Sequence, residues 1–175
     1  MSGFQTRIEQ AKARERLLIG EMEARGWTVW QWEPIPDDAR DHLVHRRMEL
    51  PLRWWPDIFA IKGDDATLID AKGILAPNAA IEANAAWTYE DIARSLCPVL
   101  VFWQTPTGDW IGCNAAHLGE WTEHDPLPGT SKGSGTPWYR IPAEWMRPID
   151  LVLDLLTGDA VIDMSDYSSE SGFPR

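Results

Sequence analysis

The chain has little of what several large protein classes require. Its 175 residues include two cysteines, Cys97 and Cys113, which are too few to build a disulfide scaffold. No apolar run approaches the roughly 20 residues that cross a bilayer, and the charged N-terminal segment lacks the apolar region of a secretory signal. We therefore expect a cytoplasmic protein with no membrane partner. The histidines and cysteines show no zinc-ligand spacing, so we assign no zinc site.

Positive charge is also scarce. The net charge of −11 argues against an obvious nucleic-acid binder, because DNA attracts basic surfaces. A local cluster of arginines, Arg40, Arg46, Arg47 and Arg53, precedes an acidic segment at residues 57–70 and can bind phosphates; its alternative is a solvated loop. Trp54 adjoins this cluster and can either stack on a base or belong to the core.

The composition is otherwise that of a globular protein, with 44% hydrophobic and 25% charged residues. A chain of this length makes one domain with a sizeable core. We predict a single domain over residues 1–164. The acidic, serine-rich residues 165–175 are predicted to be a disordered tail.

Hydrophobic periodicity predicts helices over Phe4–Arg25, ended by Gly26, and over Asn78–Leu96. Apolar runs predict β-strands, and a Pro/Gly/Ser-rich stretch predicts a loop over Pro126–Pro137. This order of helices and strands predicts an α/β fold with a mixed central β-sheet flanked by helices. The tryptophans in the strand-like runs are assigned to the core: Trp30, Trp32, Trp103 and Trp110.

Two strand-like segments carry the most informative residues. Residues 55–61 contain Asp57, residues 67–72 contain Asp70 and Lys72, and a Gly/Asp-rich turn separates the two segments. We predict an antiparallel hairpin in which Asp57 lies beside Ala71. Residues two apart on a strand share a face, so Asp70 and Lys72 point the same way. Two carboxylates and an ammonium would then converge at one end of the hairpin.

That combination suits phosphodiester hydrolysis. Mg²⁺ prefers oxygen ligands and commonly takes one or two carboxylates, waters and a substrate phosphate. Asp57, Asp70 and the backbone carbonyl of Ala71 are the predicted ligands, and Mn²⁺ could substitute for Mg²⁺. Lys72 would orient the attacking water or stabilise the developing charge. The plainer alternative is a surface salt bridge at a strand end.

On these residues the chain resembles the PD-(D/E)XK nuclease superfamily: Pro56-Asp57 matches the first element, and Asp70-Ala71-Lys72 matches the second. Residues 15–27 also resemble the opening of archaeal-type Holliday junction resolvases, which place a glutamate-arginine pair on the first helix. The resemblance implies a restriction-endonuclease-like core and makes Glu15 the third catalytic carboxylate. Glu9 and Glu21 are alternatives on the same helix.

The resemblance implies a Mg²⁺-dependent DNA endonuclease, in its most specific form a Holliday junction resolvase of DNA recombination or repair. Paired cuts across a junction would require a homodimer. Two other hypotheses stay open. One is a nuclease of the same fold that acts on linear, nicked or single-stranded DNA. The other is a catalytically silent module that binds nucleic acid, or a protein partner through its acidic surface.

Overall fold

A computed structural model describes residues 3–32, 54–73, 79–118, 126–130, 137–141 and 146–158. The helices of these ranges are α1 (Gly3–Ala24), α2 (Ala83–Ser95) and α3 (Ile149–Thr157), with a 3-10 turn at Ala115–His117. The strands are β1 (Thr28–Gln31), β2 (Ile58–Lys62), β3 (Asp65–Gly73), β4 (Ala79–Glu82), β5 (Val99–Gln104), β6 (Trp110–Asn114), β7 (Pro126–Thr130), β8 (Pro137–Ile141) and β9 (Arg147–Pro148).

The central sheet has six strands in the order β1-β2-β3-β5-β6-β9. Strands β3 and β5 are parallel, and the other neighbouring pairs are antiparallel. A crossover that contains α2 joins the parallel pair, as parallel strands require. The predicted mixed sheet flanked by helices is therefore confirmed. A smaller sheet, in the order β4-β8-β7, lies beside it.

The two faces of the central sheet are covered by different helices. Leu18 and Met22 of α1 and Val152 of α3 pack on one face, together with Ile69 and Phe102. Helix α2 covers the other face, where its alanines and Tyr89 pack against alternate residues of the same strands. Strand β5 is buried on both faces, which explains why it reads as a continuous apolar run.

Three segments differ from the sequence-based expectation. The helix predicted from Asn78 begins only at Ala83, because residues 79–82 alternate between buried and partly buried positions and pair with β8 as a strand. Pro126–Thr130, predicted as loop, pairs with β8 as β7. Helix α3 was not predicted, although Ile149, Val152 and Leu153 have the spacing of a buried helix face.

The first helix is confirmed to within one residue at each end. Gly26 follows it with φ +81°, the left-handed conformation that glycine adopts most easily and that commonly ends helices. In the described part of the chain, no helix combines the length and apolar character needed to cross a membrane. The proposed tail at residues 165–175 and the boundary at residue 164 lie outside the described residues, so they stay predictions.

Gly112 is needed for packing between β5 and β6. A Cβ at this position would overlap the ring of Phe102 and the carbonyl oxygen of Val101. We expect Gly112→Ala to lower the free energy of unfolding by about 1–3 kcal/mol, the usual cost of overpacking. Gly20→Ala is the matched control, since no atom of the described residues lies within 4 Å of the place that a Cβ would take there. That change should raise stability by about 0.5–1 kcal/mol in the exposed interior of α1. Urea unfolding that finds Gly112→Ala as stable as the wild type would contradict this packing.

Candidate active site

The β2–β3 hairpin sets the positions of the predicted catalytic residues. Lys62 pairs with Asp65, so Gly63 and Asp64 alone form the turn, with Gly63 at φ +61°. Ile58 pairs with Ile69 at the far end. Continuing this register by one residue places Asp57 across from Asp70.

The prediction that Asp57 lies beside Ala71 is therefore wrong by one residue. It assumed a longer turn, whereas the strands extend to Lys62 and Asp65. The difference matters, because a one-residue shift moves every side chain to the other face of a strand. In the observed register, Asp57 shares a face with Asp70 and Lys72, while Ala71 packs with the α1 side of the core.

Asp70 is the centre of a buried polar cluster. It is 2% exposed. Its Oδ2 atom lies 2.5 Å from Nζ of Lys72 and accepts a hydrogen bond of 2.6 Å from the hydroxyl of Tyr89. Nζ of Lys72 also lies 5.8 Å from the centroid of the Tyr89 ring, within cation–π distance. The contact is a salt bridge, as the plainer alternative proposed, but its acidic partner is buried rather than on the surface.

The charges around this cluster hold both donors in their protonated forms. Burial lowers the pKa of Lys72, but the nearby carboxylates of Asp70, Asp57 and Glu82 outweigh it and the pKa is raised. Burial and then the charge of Asp70 raise the pKa of Tyr89 well above its usual range. At neutral pH, Lys72 is thus an ammonium and Tyr89 a hydrogen-bond donor.

Glu82 and Tyr89 are the two residues of this cluster that sequence reasoning missed. Glu82 ends β4 directly before α2, and its charge acts on both Lys72 and Tyr89. Its place was hidden because the sequence was interpreted as one helix from Asn78. Tyr89 lies on the buried face of α2, where an aromatic residue gives no sign of its polar contact.

Glu15 reaches the same end of the sheet from α1. Its Oε2 atom accepts a hydrogen bond of 2.7 Å from Nε2 of Gln31, the last residue of β1. The next residue, Trp32, donates its backbone N–H to the carbonyl oxygen of Asp57 at 2.6 Å. The structure thus brings Glu15 to the sheet end that carries Asp57, but on the face covered by α1, since Gln31 pairs with Ile58, which packs on that face. Of the two alternatives on α1, Glu21 forms an ion pair of 2.6 Å with Arg25, and Glu9 is exposed.

The oxygen donors at this sheet end would suit a Mg²⁺ ion that the protein coordinates only in part. They do not form a closed site made of protein ligands alone. Among the described residues, no three Asp, Glu, His or Cys side chains form a group that could hold a metal. Mg²⁺ needs only one or two carboxylates, because waters and substrate phosphate complete its shell. Asp57 and Asp70 meet that requirement. Ala71 could contribute only its backbone carbonyl.

Of the four residues predicted to contact DNA, the structure describes one, Trp54. Arg46, Arg47 and Arg53 lie outside the described residues. Trp54 is partly buried and packs against the core on the α2 side of the sheet. Whether it also contacts DNA stays a prediction.

The tryptophans assigned to the core divide into two pairs. Trp103 and Trp110 are buried, as predicted. Trp30 and Trp32 are 50% and 54% exposed, so for them the assignment is wrong. The reason is strand order: β1 is an edge strand, which leaves these side chains near solvent. Trp30 stacks on Phe59, with ring centroids 5.8 Å apart.

No protein-family model and no curated protein sequence matches this chain. Solved structures are similar to it. One is Hjc, a Holliday junction resolvase from the archaeal hyperthermophile Archaeoglobus fulgidus, with 15% sequence identity, 81% of this chain and 97% of that chain covered, and a TM-score of 0.53. Another is D212, a nuclease from a fusselovirus, with 13% identity, coverage of 90% and 94%, and a TM-score of 0.48. The likeness to Hjc shows a shared fold, and to that extent it confirms the resemblance predicted from the sequence.

Proposed function

We propose that this protein is a Mg²⁺-dependent DNA endonuclease that hydrolyses phosphodiester bonds. The observation that carries the proposal is the hairpin register, which aligns Asp57 with Asp70 and puts Lys72 on the same face. The burial of Asp70 adds support. Burying a carboxylate beside an ammonium costs desolvation free energy, and a functional role would explain why the pair is present. The fold shared with Hjc is consistent with nuclease chemistry.

Each residue has a distinct role in this proposal. Asp57, Asp70 and the carbonyl of Ala71 bind the cation, which when bound would offset phosphate charge and acidify a water. Lys72 stays protonated and stabilises charge that develops on the scissile phosphate. Glu15, held by Gln31, assists from α1.

Branched DNA is the proposed substrate. Hjc is a Holliday junction resolvase, and its likeness to this chain covers 81% of the residues. Resolution of a four-way junction needs two symmetric cuts, so the active form would be a homodimer that works in recombination or repair. The net charge of −11 favours one other candidate, a catalytically silent module that binds a protein partner.

Asp70→Asn tests the catalytic assignment. The change keeps the size of the side chain but removes the charge that holds the cation and faces Lys72. We expect cleavage of a labelled four-way junction with Mg²⁺ to fall by about 100- to 1000-fold, a loss typical when one electrostatic stabiliser of a transition state is removed. Linear duplex and single-stranded DNA, assayed in parallel, establish the substrate preference.

The matched control is Asp64→Asn, in the turn at the opposite end of the same hairpin. This variant should cleave as the wild type does. Full activity of Asp70→Asn would contradict the catalytic assignment. A wild-type protein that cleaves no DNA and binds no Mg²⁺ or Mn²⁺ by calorimetry would support the silent module instead.

Trp30 and Trp32 offer a way for an acidic protein to hold DNA. The β1–β2 register, continued by one residue, places Trp32 across from Asp57, and both tryptophans lie on the site face of the edge strand. Stacking on an exposed indole does not depend on positive charge. We propose that Trp32 stacks on an unpaired base next to the scissile phosphate.

Trp32→Ala should therefore weaken the binding of junction and single-stranded DNA. We expect a loss of about 5- to 150-fold, which corresponds to about 1–3 kcal/mol for one stacked base. Fluorescence anisotropy of a labelled oligonucleotide in Ca²⁺ measures it, and Trp32→Phe should retain most of the affinity. Trp87→Ala is the control, since Trp87 is 51% exposed on α2 and contacts Tyr139. Equal losses in the Trp32 and Trp87 variants would contradict a specific stacking site.

A further inference from the structure

The two hydrogen-bond donors close to Asp70 contact the same carboxylate oxygen. The Tyr89 hydroxyl donates to Oδ2 at 2.6 Å, and Nζ of Lys72 lies 2.5 Å from the same atom. Neither contact involves Oδ1. A carboxylate held at one oxygen by two donors has its other oxygen available as a ligand.

The two donors differ in rigidity. Lys72 carries its ammonium on a flexible four-carbon stem, which can follow the carboxylate if it rotates. Tyr89 cannot follow it, because its ring is 3% exposed and stands on a helix whose neighbouring Ala85 and Ala86 are fully buried against the sheet. The fixed hydroxyl, rather than the lysine, therefore sets the orientation of Asp70.

We propose that Tyr89 is a positioning residue for the metal site: its hydroxyl fixes Oδ2 of Asp70, so that Asp70 binds the cation through Oδ1. The inference rests on the proposed function, since it assumes that Asp70 is a metal ligand. Phenylalanine would fill the same space against the core, so packing alone does not require a tyrosine here. The hydroxyl is required only by the carboxylate that it contacts.

Tyr89→Phe tests the inference, because it keeps the ring and removes the hydroxyl. We expect the affinity for Mn²⁺, measured by calorimetry without DNA, to fall about 10- to 100-fold, as is typical when a partner of a metal ligand is lost. In cleavage assays, the Mg²⁺ concentration for half-maximal rate should rise by a similar factor. The KM for DNA should stay constant, and high Mg²⁺ should restore the rate. Tyr139→Phe, a partly buried tyrosine on β8, should change none of these quantities.

The outcomes separate this inference from the nuclease proposal. A folded Tyr89→Phe protein that binds Mn²⁺ as tightly as the wild type would overturn the inference, and so would a wild type that binds no Mn²⁺. If the wild type cleaves no DNA but Tyr89→Phe still weakens Mn²⁺ binding, the positioning role stands and the nuclease proposal fails. If Tyr89→Phe does not fold, the wild-type Mn²⁺ complex decides: Asp70 bound through Oδ1 alone supports the inference, and Asp70 bound through Oδ2 overturns it.

Discussion

The candidate site depends on the length of one turn. Two residues, Gly63 and Asp64, connect β2 to β3, and this length sets the pairing of every residue along the hairpin. One more residue in the turn would move Asp57 to the face covered by α1, away from Asp70 and Lys72. The turn lies at the opposite end of the hairpin from these residues. The alignment of the site is therefore maintained by the strands, which carry the register from one end to the other.

Electrostatics then gives this sheet end its chemical character. Lys72 faces the charges of three carboxylates, those of Asp70, Asp57 and Glu82. The excess of negative charge favours a divalent cation, whereas the ammonium favours a phosphate. Asp70 is almost fully buried, and the contacts from Lys72 and Tyr89 give one of its carboxylate oxygens the polar partners that a buried polar group needs. The balance of these carboxylates and the ammonium at the sheet end matters more to the proposed reaction than the net charge of −11 on the whole chain.

Local sequence patterns predicted the helices and strands themselves better than the register, order and packing of these elements. The first helix, the hairpin and the apolar strand β5 follow from periodicity and turn residues, and the Asp57, Asp70 and Lys72 motif follows from spacing. The register could not be predicted, because Lys62 to Ala66 can form turns of several lengths. Tyr89 is 19 residues from Asp70, so their contact depends on how α2 crosses the sheet. The exposure of Trp30 and Trp32 depends on strand order, which no local pattern specifies.

The central claim is that Asp57 and Asp70 bind one cation together. A crystal structure of the protein grown with Mn²⁺ tests it most directly, because anomalous scattering locates the ion independently of the protein atoms. The account predicts a single Mn²⁺ at the end of β3, with an oxygen of each carboxylate at about 2.0–2.2 Å, near the distances usual for Mg²⁺. Mn²⁺ bound elsewhere, or held by Glu82 without Asp57, would contradict the account.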